Sequence, residues 1–174
     1  MRNSILLAIM VVFILSRPAL AWHGYVVKVL DGDSIRVQRA GRVYEIRLYG
    51  IDTPEYKQSF GKKAGQLTRK KIWRKTVFVE PMDVDRYGRI VALIRSDGHL
   101  VNRELVRDGA AWVYPQYCKR QPLCRDLKEE ENRARLERLG LWKEENPISP
   151  WKWKRLNRKS LRRSHRPARS HRQY

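Results

Sequence analysis

The sequence predicts a small α+β protein, a five-stranded Greek-key β-barrel carrying three α-helices. Three observations predict it. Short runs of alternating apolar and polar residues, divided by Gly-containing turns, fill Tyr25–Tyr49 and return at Thr76–Glu80 and Arg89–Arg95. A stretch of helical composition, Gln58–Lys75, falls between the third and fourth of these runs, and two more, Val101–Asp108 and about Arg125–Leu139, follow the fifth. At 42% hydrophobic and 10% aromatic, the chain also has enough apolar material for a core, despite 32% charged residues.

Each element has its own local reason. The first three strands, Tyr25–Leu30, Ser34–Arg39 and Val43–Tyr49, are separated by Asp31-Gly32-Asp33 and Ala40-Gly41, turn chemistry that joins antiparallel neighbours. In the third, Tyr44, Ile46 and Leu48 alternate with Glu45, Arg47 and Tyr49, so Arg47 points away from the apolar face. The first helix sets Ala64, Leu67, Lys71 and Ile72 near one face. Thr76–Glu80 is a β-branched return to strand, and the polar turn Asp83–Gly88 leads into the fifth. Asp97-Gly98 turns the chain into the second helix, which Gly109 stops. The third helix carries Glu129–Glu131 ahead of Arg133, Arg135 and Arg138, an order that complements the helix dipole, and Gly140 follows it. Strands in this order, with a helix between the third and fourth, match the oligonucleotide-binding type of barrel. Architecture of that kind does not by itself give function.

Three segments are expected. Residues 1–21 place Arg2 ahead of an apolar run, Ile5–Leu15, and the small-residue site Ala19-Leu20-Ala21, the layout of a signal peptide cleaved before Trp22. The run of 11 residues is well short of the ~20 needed to cross a bilayer, so stable membrane insertion is not expected. Residues 22–150 form the domain. Residues 151–174 hold ten Lys/Arg, no acid, and much Ser, Pro and Arg beyond Asn157, and are read as a disordered basic tail. Trp151 and Trp153 interleave there with Lys152 and Lys154, a pattern open to three readings: a lipid interface, nucleic-acid contact, or tryptophans packing back on the domain. A periplasmic or extracellular, monomeric protein is expected. Export agrees with a short-range disulfide between Cys118 and Cys124; a zinc site is the competing reading, with no histidine nearby to complete it.

With 38 Lys+Arg against 18 Asp+Glu, a formal charge of +20 and a pI near 10.5, the natural partners are polyanions. In such a chain the acids stand out. They form Asp31-Gly32-Asp33, Asp52-Thr53-Pro54-Glu55 and Asp85-Arg86-Tyr87-Gly88-Arg89, with Arg47 between the first two. Singly, these are ordinary turn or helix-start residues. Together, Asp33 and Asp52 offer hard oxygen ligands suited to Ca²⁺ or Mg²⁺, and the guanidinium forks of Arg47 and Arg89 can grip a phosphate. A cation, a carboxylate and two arginines are a kit for phosphodiester hydrolysis.

Those stretches, with Val29-Leu30 before the first, Arg47-Leu48-Tyr49-Gly50-Ile51 before the second, and Leu100–Gly109 as a second-helix segment, resemble the staphylococcal nuclease-like (thermonuclease) family over roughly residues 24–146. The resemblance implies an oligonucleotide-binding barrel with three helices and Ca²⁺-dependent hydrolysis of DNA and RNA, leaving 3′-phosphate ends. It implies Asp33, Asp52 and the Thr53 carbonyl as metal ligands, with Asp31 acting behind them through water. Arg47, Glu55 and Arg89 would be catalytic: Glu55 activates or orients the attacking water, and the arginines meet the charge growing on the phosphate. Tyr87 matches a tyrosine beside the phosphate site. Tyr114 and Tyr117 are open to base stacking or to covering the barrel. The departures are Ser34 for a commoner threonine, a shorter segment between Glu55 and the first helix, and the two cysteines. The alternative function is a non-catalytic, secreted nucleic-acid-binding barrel, in which carboxylates beside the phosphate would only repel it.

Overall fold

Burial alternates along the first barrel strand and runs continuously through the middle of the fifth, so the wall turns its apolar residues inward. In the computed structural model, which describes residues 20–164, β1 (Trp22–Val29), β2 (Ser34–Arg39) and β3 (Arg42–Leu48) form the expected antiparallel meander. After β4 (Ile51–Asp52) and α1 (Gly61–Ile72), β5 (Thr76–Val84) pairs antiparallel with β1 and with β6 (Ile90–Ser96). A parallel pairing of β3 with β6, Arg47 opposite Val91, closes the five strands into a barrel. Val26, Ile35, Val37, Ile46, Leu48, Val79 and Ile94 point into its core. β7 (His99–Leu100) then leads into α2 (Val101–Arg107), followed by β8 (Trp112–Val113) and α3 (Leu123–Leu136).

The helices pack against the barrel. Ala64 and Ile72 of α1, Val101, Leu105 and Val106 of α2 and Leu127 of α3 join the core. Asn102, wholly buried, stitches α2 to the wall: its Oδ1 accepts from Ile94 N at 3.0 Å, and its Nδ2 donates to Tyr49 O at 3.0 Å. The Cys118–Cys124 disulfide closes the loop before α3, and Tyr49 OH accepts from the amides of Lys119 and Arg120 in that loop.

Two expectations change. The first helix begins at Gly61, not at Gln58, because Glu55–Phe60 forms a turn in which Gln58 N and Gly61 N donate to Glu55 O and Gln58 O. The tail expected to be disordered from Trp151 is helical as α4 (Pro150–Ser164). Pro150 suits the first helical position, no glycine or further proline interrupts the run, and Trp151 packs against Tyr114 and Trp112. The tail beyond 164 and the signal-peptide run through 19 lie outside the described residues. Among the described residues, no helix is long and apolar enough to cross a membrane.

Candidate active site

The first acidic turn is fastened from three directions. Asp31 Oδ1 accepts from Asp33 N at 3.0 Å, and Leu30 N and Asp31 N both donate to Ser34 O. Gly32 lies so close to Thr53 that a Cβ there would stand 2.6 Å from Thr53 Oγ1, so only glycine fits. Its carbonyl accepts from Thr68 Oγ1 of α1 at 2.6 Å. Asp33, 3% exposed, is thereby aimed inward, and its Oδ2 accepts from Thr53 N at 2.6 Å and Thr53 Oγ1 at 2.8 Å.

The second acidic group follows β3 directly. Gly50, at φ +75°, turns the chain into β4, where Ile51 pairs with Val113 and Asp52 with Trp112 of β8. Arg47 then reaches both carboxylates: Nη1 pairs with Asp33 Oδ1, and Nη2 donates to Asp52 Oδ1 at 2.6 Å and to Ile51 O at 3.2 Å. Burial pushes the Asp52 carboxyl above the usual carboxylate range, against the opposing pull of the Arg47 and Lys154 charges. Its Oδ2 is buried and receives no hydrogen bond. Burial, together with the Asp52 charge, likewise raises the Tyr114 phenol.

Glu55 is more open, its side chain 35% exposed, and its backbone is locked into the turn that starts α1. Its partner lies far along the chain. Lys154 Nζ of α4 stands 2.8 Å from Glu55 Oε1 and 3.8 Å from Asp52 Oδ1.

Arg89 stands two residues before Val91, which pairs with Arg47, so the two arginines share a face of the barrel wall. Its Nε donates to Asp85 Oδ2 at 2.7 Å, and its amide donates to Asp85 Oδ1 at 3.0 Å. Burial opposes ionisation of Asp85, but these bonds outweigh it and hold the carboxyl below its ordinary value. Among the described residues the Nη groups of Arg89 make no hydrogen bond to protein. Tyr87 is 69% exposed, its ring centroid 5.6 Å from the Arg89 guanidinium carbon; the two line a recess with Glu45 and Gly88.

Asp33, Arg47, Asp52, Thr53 and Glu55 are therefore brought together, with Asp31 behind Asp33. Arg89 and Tyr87 form an adjoining group that makes no ion pair or hydrogen bond with the carboxylates of the first among the described residues. Sequence reasoning missed Lys154. The Trp-Lys-Trp-Lys alternation was its signal, and of the readings open there the packing-back one is what Trp151 does, stacked on Tyr114 at 4.8 Å and 4°.

The donor set fits a hard divalent cation. Asp52 Oδ2 is an orphaned, buried carboxylate oxygen, the kind of atom such an ion satisfies. Among the described residues no cluster of three or more His, Cys, Asp or Glu could enclose an ion unaided, so backbone, water or substrate oxygens must complete any shell.

Comparison with known proteins agrees with this geometry. The sequence profile described as staphylococcal nuclease homologue matches residues 45–144. An uncharacterized endonuclease of Escherichia coli is 43% identical over 148 residues, covering 83% of this chain and 94% of its own. A micrococcal nuclease of Shigella flexneri is 38% identical over 158 residues, 85% of this chain and 90% of its own. An uncharacterized endonuclease of Haemophilus influenzae is 35% identical over 131 residues, 75% and 71% of the two chains. Motif, barrel and relatives agree, and the chain belongs to the staphylococcal nuclease family as a nuclease, a hydrolase of nucleic acids.

Proposed function

We propose that the chain is an exported, Ca²⁺-dependent nuclease that hydrolyses phosphodiester bonds of both DNA and RNA and leaves 3′-phosphate ends. The observation that carries this reading is the convergence of Asp33 and Asp52 on Arg47 beside Glu55, with Asp52 Oδ2 buried and unpartnered.

Asp33, Asp52 and the Thr53 carbonyl would hold the cation, with Asp31 steadying the turn behind them. When bound, Ca²⁺ supplies positive charge beside a phosphate oxygen. Arg89 presents its guanidinium fork to the non-bridging oxygens, and Arg47, whose fork is held here by Asp33 and Asp52, would join it from the same face of the wall once those carboxylates hold the cation. Asp85 orients Arg89 through Nε, which leaves the Nη pair for phosphate. Tyr87, beside that guanidinium, would flank the bound phosphate. Glu55 orients the attacking water and takes its proton. Attack adds negative charge to the non-bridging oxygens, so cationic contacts there tighten in the transition state and lower the barrier. Water is the nucleophile, and nothing in this chemistry requires a ribose hydroxyl.

Export is supported by the charged, apolar and small-residue order of residues 1–21 and by β1 beginning at Trp22, the residue after the cleavage site. The disulfide agrees with an oxidising compartment. A monomer would suffice for this chemistry, since one chain supplies every group named.

The roles are tested with Glu55→Gln, Arg47→Ala and Arg89→Ala, each measured for turnover and for DNA binding. Loss of a general base costs about 10²–10⁴ in turnover. Glu55→Gln is expected to fall in that range with DNA affinity held within a few-fold. Turnover within a few-fold of the parent would remove Glu55 from the mechanism, whereas a parent that binds DNA and leaves it intact with Ca²⁺ would favour a binding-only barrel.

A further inference from the structure

We propose that α4 is a strap that closes the active site in the metal-free protein, with Lys154 as the cation that an incoming divalent ion must displace. The proposal rests on the Ca²⁺ reading of the site and extends it to the tail.

Two cations divide the carboxylates here, and Arg47 pairs with Asp33 and Asp52. Lys154 answers Glu55, 2.8 Å from its Oε1, and also lies 3.8 Å from Asp52 Oδ1, so an ammonium stands where the site presents its remaining negative charge. The Lys154 side chain stays 43% exposed, a partner reached from solvent and able to leave. One helical turn earlier, Trp151 lies on the same face of α4 and rests flat on Tyr114 at 4.8 Å, with an edge contact to Trp112 at 5.8 Å. Upstream, Gln58 Nε2 donates to Ile148 O, and Ser59 Oγ bonds Glu144. The chain from Glu144 to Lys154 thus runs along the Glu55–Phe60 turn and ends over the carboxylates.

The tail has no acidic residue, and among the described residues the ion pairs of α4 are those of Lys154 with Glu55 and Asp52. A divalent cation on Asp52 would neutralise that attraction and repel Lys154 at close range. Glu55 is then released to a water molecule and the Tyr114 face is uncovered. The exposed Lys152, Lys154, Arg155 and Arg158 become available to the phosphates of the same substrate. Metal loading, opening and capture of the polyanion are then one event.

The test compares the mature chain, residues 22–174, with Lys154→Ala and Lys154→Arg. Calcium chloride alone is titrated into each by calorimetry, and trypsin cleavage after Lys154 or Arg155 is timed with and without Ca²⁺. Removing the competing ammonium is expected to tighten Ca²⁺ binding about tenfold in Lys154→Ala, with Lys154→Arg within about twofold of the parent, since two cations drawn to the same carboxylate oppose each other strongly in a partly buried site. Ca²⁺ is expected to speed cleavage of the parent several-fold. Equal or weaker affinity in Lys154→Ala, or cleavage indifferent to Ca²⁺, overturns the strap alone. Absence of Ca²⁺ binding in all three overturns the metal reading and takes the strap with it.

Discussion

Asp52 and Asp85 show how the same side chain acquires opposite character from its surroundings. Asp52 is almost wholly enclosed, and burial raises its carboxyl despite two cationic neighbours. Asp85 is also drawn against its burial, but bonds from Arg89 and from the Tyr87 and Arg89 amides win and lower it. A carboxyl lowered in the native state stabilises the fold above its unfolded value, near pH 4, and loses that contribution as the pH falls through the depressed native value. Asp85→Asn should therefore cost about 1 kcal/mol at pH 7, and the gap should close on acidification. Urea midpoints of parent and variant at pH 7 and near pH 3 check the sign; a gap that widens in acid would contradict it. Identity at this scale was legible: Asp33, Arg47, Asp52 and Glu55 stood out as acids and a cation in an ordered motif. The raised carboxyl of Asp52 was not, because it depends on burial, with the opposing charges of Arg47 and Lys154, in a fold that pairs Asp52 with Trp112, and Trp112 and Lys154 are distant in sequence.

Elements read well wherever their periodicity ran long enough. The five barrel strands appear with ends shifted by a few residues, and β5 runs past Pro81 because a bulge between Pro81 and Asp83 accommodates the missing amide. β4, β7 and β8 have two residues each and carry no period to detect, yet β4 and β8 set the position of Asp52. The start of α1 was also hidden, since it depends on how tightly Gly61 approaches the Glu55 backbone. A Cβ at Gly61 would overlap the Glu55 carbonyl oxygen, and the turn would have to shift. Gly61→Ala should lower turnover about 10–100-fold by moving Glu55, since small misplacements of a positioned group are costly, with an overpacking cost of about 1–3 kcal/mol. Steady-state kinetics on DNA and a urea titration check both; parent-like values would show that the turn is not fixed by this contact.

For the whole molecule, the charge of +20 divides into parts with different work. Residues 22–150 carry 26 basic against 18 acidic residues, an excess that steers polyanions toward the barrel. The tail carries ten more basic residues, and its helical part is folded over the site. Composition identified the partner class but gave no sign of this placement, because a basic, acid-free segment reads as solvated when its counter-charge lies on another part of the fold. Lys154 against Glu55 supplies that counter-charge. The scarce acids thus anchor the fold's most basic segment and, in the proposed mechanism, hold the metal and the water. The central claim is tested most directly by incubating the mature chain with DNA and with RNA, in Ca²⁺ and in excess chelator, and identifying the ends formed. Degradation of both substrates to 3′-phosphate ends with Ca²⁺, abolished by chelator, is the predicted result. Intact nucleic acid in Ca²⁺, or equal cleavage with chelator present, would contradict it.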